Sequence, residues 1–234
     1  MSNPAEKTSI SYSNNIGDGA VASALPAHTY VHNTAPQLRV IGNPGPLGLF
    51  SFASTTFILS MFNVNARGVT VPNAVIGMAC FVGGLAQFAA GMWEFTTGNT
   101  FGATAFTSYG GFWLAYAAFL HPDFGVAAAY AKTPDELHNA VAIFLASWFI
   151  ITFIFLLATL RVNMALVALF FCLDVTFLLL MVAEFTENAT IAKAGGGFGI
   201  VTAFIAYYAG AAQLFTNENS LFTLPVGSLR RRLD

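Results

Sequence analysis

Six long apolar runs, separated by short polar breaks, fill the chain after about residue 43 and decide the solvent in which it folds. They are Leu47–Val64, Ala74–Trp93, Phe101–Leu120, Ala140–Leu160, Val162–Ala183 and Gly196–Phe215. Each holds about 18–22 residues, enough to cross a ~30 Å hydrocarbon core at ~1.5 Å of rise per residue. Hydrophobic residues make up 56% of the chain and charged residues 9%, too few charges to clothe a water-soluble domain of 234 residues. With no water in the bilayer core, each run must satisfy its backbone polar groups internally, so each reads as a helix. The expectation is an all-α membrane protein with six transmembrane helices.

Charge placement sets the expected orientation. Lys7, Arg39, Arg161 and Arg230–Arg232 fall on one face of a six-span chain, and Arg67, Lys132 and Lys193 on the other. That bias puts both termini in the cytoplasm of a multi-pass membrane protein. Residues 1–42 are rich in Ser, Asn, Ala and Thr and carry no apolar signal core, so they read as a disordered cytoplasmic tail. Residues 43–220 are expected to form the six-helix transmembrane domain, and 221–234 a short basic cytoplasmic tail. Asn188-Ala189-Thr190 matches a glycosylation acceptor but lies against the membrane boundary, so it is expected to stay unmodified.

Small residues recur every four positions in three runs: Ala79, Gly83, Gln87, Gly91; Ala103, Thr107, Gly111, Ala115; and Gly195, Gly199, Ala203. Such stripes let helices approach closely where lipid supplies no hydrophobic drive between them. The second run ends in Glu94-Phe95-Thr96 and the fifth in Glu184-Phe185-Thr186, each followed by a Gly- and Ala-rich run. Three spans per half with matching breaks point to an inverted three-plus-three repeat, with the breaks on opposite faces.

Catalytic chemistry finds little support. His28 and His32 lie in the tail, while His121 and His138 flank one loop, which leaves no intramembrane metal cluster. Cys80 and Cys172 sit inside apolar runs as packing residues. The few scattered basic residues argue against a nucleic-acid partner. The chain is therefore expected to have no catalytic residues, no metal and no cofactor, and not to be an enzyme.

The entrance to the first run is unusual. In Asn43-Pro44-Gly45-Pro46-Leu47-Gly48-Leu49, two prolines oppose a regular helical start and two glycines permit an irregular backbone. The plainer reading makes Asn43 a cap with Pro44 at the first helical position. This motif, GNTFGATAFTSYGGFW at 98–113 and the ENAT break at Asn188 together resemble the acetate uptake transporter family, which holds bacterial succinate–acetate permeases and fungal acetate transporters. The likeness covers about residues 43–226. The family's first motif usually has Ala where this chain has Gly45.

That resemblance implies a ring-like homo-oligomer, hexameric, with a pore through each protomer. It also implies an apolar constriction at Phe52, Tyr109 and Leu173. Asn43, Glu94, Thr104, Thr107 and Asn188 are candidates for the substrate path or its entrance. A short carboxylate, with a pKa near ~4–5, is an anion at neutral pH. Its passage needs hydroxyl donors and helix N-termini along the way, and an apolar ring can gate by dewetting. Asp174, deep in the fifth run, is a costly charge with a candidate role in proton handling, set against a structural one. The function so implied is uptake of acetate and related short monocarboxylates, proton-coupled or channel-like, with the bilayer and copies of itself as partners. A membrane acetate sensor and an ammonium exporter remain as alternatives.

Overall fold

The computed structural model describes residues 41–229. The expectations for most of the N-terminal tail, including Lys7, His28, His32 and Arg39, and for Arg230–Arg232 lie outside the described residues. Among these the fold is helical, with no named strand. Helix α1 spans Gly45–Asn63. A π-helical stretch, Met78–Ala86, runs directly into α2, Gln87–Thr96, and α3 follows at Thr100–Leu120. After a short α4 (Val126–Ala129) come α5 (Pro134–Thr159), α6 (Met164–Thr186) and α7 (Ala189–Leu214).

Five helical rods are long and apolar enough to cross a membrane: α1, the continuous rod Pro72–Thr96, α5, α6 and α7. Another helix, α3, is long enough at 21 residues but less apolar, because it carries Thr100, Thr104, Thr107, Ser108 and three glycines. It affords that polarity by lying inside the bundle, with Ala103, Ala105, Tyr109, Phe112 and Trp113 all buried. At the other extreme α5 is the least enclosed rod, and Ile143, Ile150, Phe153, Ile154 and Leu157 face outward. In a bilayer such side chains are suited to contact with lipid or with another apolar helix.

Helix α1 packs most extensively on α7, α6 lies between α5 and α7, and α2 with its π-helical lead-in packs on α3. The small-residue stripes mark most of these seams. A methyl group on Gly83 would approach the Trp113 ring to 2.8 Å, and one on Gly110 would come within 2.8 Å of the Phe88 backbone. Gly199 rests on Ser60 of α1 in the same way. Gly111 is the exception, with nothing within 4 Å of the position its side chain would take.

The start of α1 corrects the reading of the first motif as an irregular entrance. The helix begins at Gly45, Pro46 sits in its first turn, and the Gly48 N–H already reaches the Pro44 carbonyl at 3.2 Å. Proline is tolerated there because first-turn N–H groups have no partner within the helix. Asn43 caps the turn, its Oδ1 accepting from the Gly45 N–H at 2.9 Å. Gly48 is required by the Phe106 ring, which leaves only 2.6 Å for a side chain.

At the other end the chain after α7 returns to the start of α6. The Met164 N–H donates to the Gly227 carbonyl at 2.8 Å, and the Leu229 N–H to Val162 at 3.1 Å. The Tyr208 hydroxyl donates to the Pro225 carbonyl at 2.6 Å. Gly227 turns with φ of 67°, a left-handed conformation that favours glycine. Residues 226–229 thus satisfy backbone groups that the first turn of α6 leaves open.

Candidate functional site

Two cavities lie end to end inside the bundle and share two lining residues, Phe52 of α1 and Tyr109 of α3. At their junction the Phe52 and Tyr109 ring centroids are 5.6 Å apart. Trp148 and Phe155 flank the Tyr109 ring, each at a centroid distance of 5.8 Å. The Tyr109 hydroxyl is paired with the Thr152 hydroxyl at 2.8 Å, both residues being buried. The waist is therefore aromatic, and its single hydroxyl is turned into a bond with α5.

Leu173 of α6 lines the second cavity but not the first. The three residues expected at a constriction thus fall around one place, with Leu173 on one side of the two rings.

Polar groups collect on either side of the waist. Gln87 lines the first cavity, is fully buried, and neither its Oε1 nor its Nε2 has a partner. In the second cavity the buried Thr56 Oγ1 and Trp113 Nε1 are likewise unpaired. A buried amide or indole N–H without a partner costs about 1–3 kcal/mol. Such groups persist where a solute or water completes them. The two N–H donors, Gln87 Nε2 and Trp113 Nε1, suit a carboxylate.

Glu94 and Asn99 also line the first cavity. Asn99 Nδ2 donates to Glu94 Oε2 at 2.9 Å, and the Thr97 hydroxyl donates to the same oxygen at 3.2 Å. Asn99 Oδ1 in turn accepts from the Gly102 N–H at 3.0 Å, capping α3. Glu94 is thus an anchor for the start of α3. Gln213 reaches this cavity from α7 and links it to Asn43, whose Nδ2 donates to Gln213 Oε1 at 3.4 Å.

The second Glu-Phe-Thr break is built similarly around α7. Asn188 Oδ1 accepts from the N–H groups of Thr190 and Ile191 at 2.9 and 3.3 Å. Glu184, however, lines the second cavity beside Tyr116, at the opposite end of α3 from Glu94. Its Oε2 lies 2.7 Å from His138 Nδ1.

Several candidates lie away from both cavities. Thr104 is exposed, and its hydroxyl donates back to the Thr100 carbonyl at 2.8 Å. Thr107 packs against Gly91, and Asn188 serves as a cap. Asp174 is buried on α6 with Oδ1 unpartnered, lining neither cavity. A residue one step along a helix points ~100° away, so Leu173 and Asp174 face different surroundings. Among the described residues no group of three His, Cys, Asp or Glu side chains is placed to hold a metal ion.

Sequence reasoning placed Gln87 in a packing stripe and gave Thr56, Trp113, Thr152 and Gln213 no role. Gln87 carried a usable signal, as the one long polar side chain within its apolar run. Thr152 carried none, because its importance comes from a partner 43 positions away.

Comparison with known proteins adds the lineage. The model of the GPR1/FUN34/yaaH family matches residues 28–231. Ammonia transport outward protein 2 of Saccharomyces cerevisiae is 48% identical over 76% of this chain and 63% of its own length. Acetate permease A of Emericella nidulans is 47% identical over 81% of this chain and 67% of its own. The chain therefore spans about two thirds of these relatives. The solved structure of the bacterial acetate channel SatP superposes with a TM-score of 0.72 at 33% identity, covering 80% of this chain and all of that one.

Proposed function

This chain belongs to the GPR1/FUN34/yaaH family, and on that premise we propose that it conducts acetate and similar short monocarboxylates across the plasma membrane. The observation that carries the proposal is the pair of cavities joined at Phe52 and Tyr109, each holding a buried N–H donor without a partner. An anion at the centre of a bilayer costs from ~3 to more than 10 kcal/mol, so it needs donors at each stage. Gln87 offers one before the waist and Trp113 one after it. Between them the carboxylate sheds water while its methyl group passes apolar rings, a passage that hydrated inorganic ions resist.

In this reading Phe52, Tyr109 and Leu173 form the constriction, and Asn43, through Gln213, orders the mouth of the first cavity. Six crossings with both termini cytoplasmic place that cavity inward and the second outward. Glu94 and Glu184, at opposite ends of α3, accord with the inverted three-plus-three repeat. The exposed apolar face of α5 and the open side of Gly111 accord with a ring of subunits, hexameric as in the family resemblance.

The relatives also supply the competing reading, since one of them is named for outward ammonia transport. Against it, Trp113 presents a donor alone, which an ammonium ion cannot use, while the Gln87 amide can serve either ion. Purified protein in liposomes should take up radiolabelled acetate, with uptake altered in Tyr109→Ala and weakened in Gln87→Leu. Ammonium flux without acetate flux would favour the rival, and acetate binding without flux would favour a sensor.

A further inference from the structure

Glu184 is the one carboxylate lining the second cavity among the described residues, and it does not stand alone. His138, on the first turns of α5, holds its Oε2 at 2.7 Å through Nδ1. The contact joins α5 to the end of α6 across 46 residues. The imidazole Nε2 makes no hydrogen bond among the described residues, and the ring is partly open to solvent. Asp135 on α5 and Glu187 just beyond α6 also act on this imidazole, and Tyr116 of α3 lies close to Glu184. Glu136 is turned aside to the Thr133 hydroxyl at 3.0 Å. No Lys or Arg pairs with these carboxylates among the described residues, and His138 is the one basic side chain in contact with Glu184.

We propose that the His138–Glu184 pair is a proton-binding site that governs admission of carboxylate anions to the second cavity. The inference rests on the transport reading and names its regulation. With a proton on both ring nitrogens, His138 neutralises Glu184, and an anion meets the hydroxyl and indole donors of the cavity without a fixed opposing charge. With one proton lost, Nδ1–H still holds Glu184, but the pair carries a net negative charge and repels the same anion. Histidine suits this task because its charge changes between about pH 5 and 8, where acetate remains an anion. The proton moves only between solvent and Nε2, so no bond of the substrate changes.

Equilibrium exchange of radiolabelled acetate in proteoliposomes, with equal pH on both sides, removes the proton gradient as a driving force. Wild-type exchange should fall on the order of fivefold between pH 6 and pH 8, the effect of one unit charge felt across a wet cavity. His138→Gln should be low at both values, whereas Glu184→Gln and His138→Lys should be high at both. A link that is merely structural would lower exchange equally at every pH in all three variants, and that result overturns the proposal. A wild-type slope retained in His138→Gln overturns it as well. Should Glu184→Gln fail to assemble, His138→Lys still decides, because it fixes the positive charge and leaves Glu184 in place. Wild-type protein that exchanges no acetate overturns the transport reading instead. The pair is then tested by the NMR titration of His138, whose midpoint acetate must raise; an unmoved midpoint overturns the pair.

Discussion

The Tyr109 and Thr152 hydroxyls lie 2.8 Å apart, and their bond ties α3 to α5 at the waist between the two cavities. Thr152 is fully enclosed, so water cannot replace it as a partner. Thr152→Val keeps the shape and strands the tyrosine hydroxyl, which should cost about 1–3 kcal/mol. Thr152→Ser should recover most of that loss. Thermal unfolding in detergent reads the stability, and uptake of acetate against lactate reads the waist. A valine variant as stable and as selective as wild type would falsify the positioning role.

Leu173 lines empty space in the second cavity, so shortening it enlarges a gap rather than collapsing a core. Leu173→Ala should admit larger acids such as lactate or succinate while acetate still passes. Its cost in stability should fall near or below the ~2 kcal/mol at the lower end for buried leucines. Competition of unlabelled acids against labelled acetate measures the change, and an unaltered selectivity order removes Leu173 from the constriction.

Glu94, Asn99 and the start of α3 form one unit, so its members should fail together. Asn99→Ala removes the cap on Gly102 and the amide donor to Glu94, a loss of about 1–2 kcal/mol for the cap alone. Glu94→Ala leaves Asn99 without the group that orients it. In a double-mutant cycle the combined loss should be clearly smaller than the sum of the two single losses. Additive losses would mean that the two residues act separately.

The fold was legible because the bilayer leaves few choices: long apolar runs separated by polar breaks become helices. The stripes found real seams at Gly83 and Gly199, and the breaks at Glu94 and Glu184 ended helices where expected. The site was harder to read, for a physical reason. Phe52 and Leu173 are apolar residues in apolar helices, and only three-dimensional placement separates a cavity wall from packing. Thr104 and Thr107 looked like path residues because hydroxyls on a helix look alike in sequence. One of them bonds its own backbone and the other fills a helix seam. The proline-rich entrance misled in the opposite direction, since the first turn of a helix is where proline does least harm.

Topology gives a separate test. Single cysteines at Lys132 and at Arg230, in a background with Cys80 and Cys172 replaced, should react with impermeant reagents from opposite sides. Labelling of both from one side would remove the even number of crossings. Native mass spectrometry of wild-type protein should show an oligomer, hexameric on the family resemblance. Gly111→Leu should weaken it while each protomer stays folded, because that position faces open space within the protomer.

Gln87 permits the sharpest separation of function from stability. Its amide is fully buried and unpartnered, so an unliganded protein carries the whole cost of desolvating it. Gln87→Leu replaces that group with an apolar side chain of similar size. The variant should be as stable as wild type or gain about 1 kcal/mol, since an unpaired buried polar group has been removed. Acetate should then lose a donor before the waist, raising the apparent KM about tenfold to a hundredfold, the worth of one hydrogen bond to a charged group. Gln87→Glu places a carboxylate in the same cavity and should suppress acetate uptake further by like-charge repulsion. A residue that merely filled space would lose stability and function together. Thermal unfolding that falls in step with uptake in Gln87→Leu would therefore return Gln87 to the packing stripe.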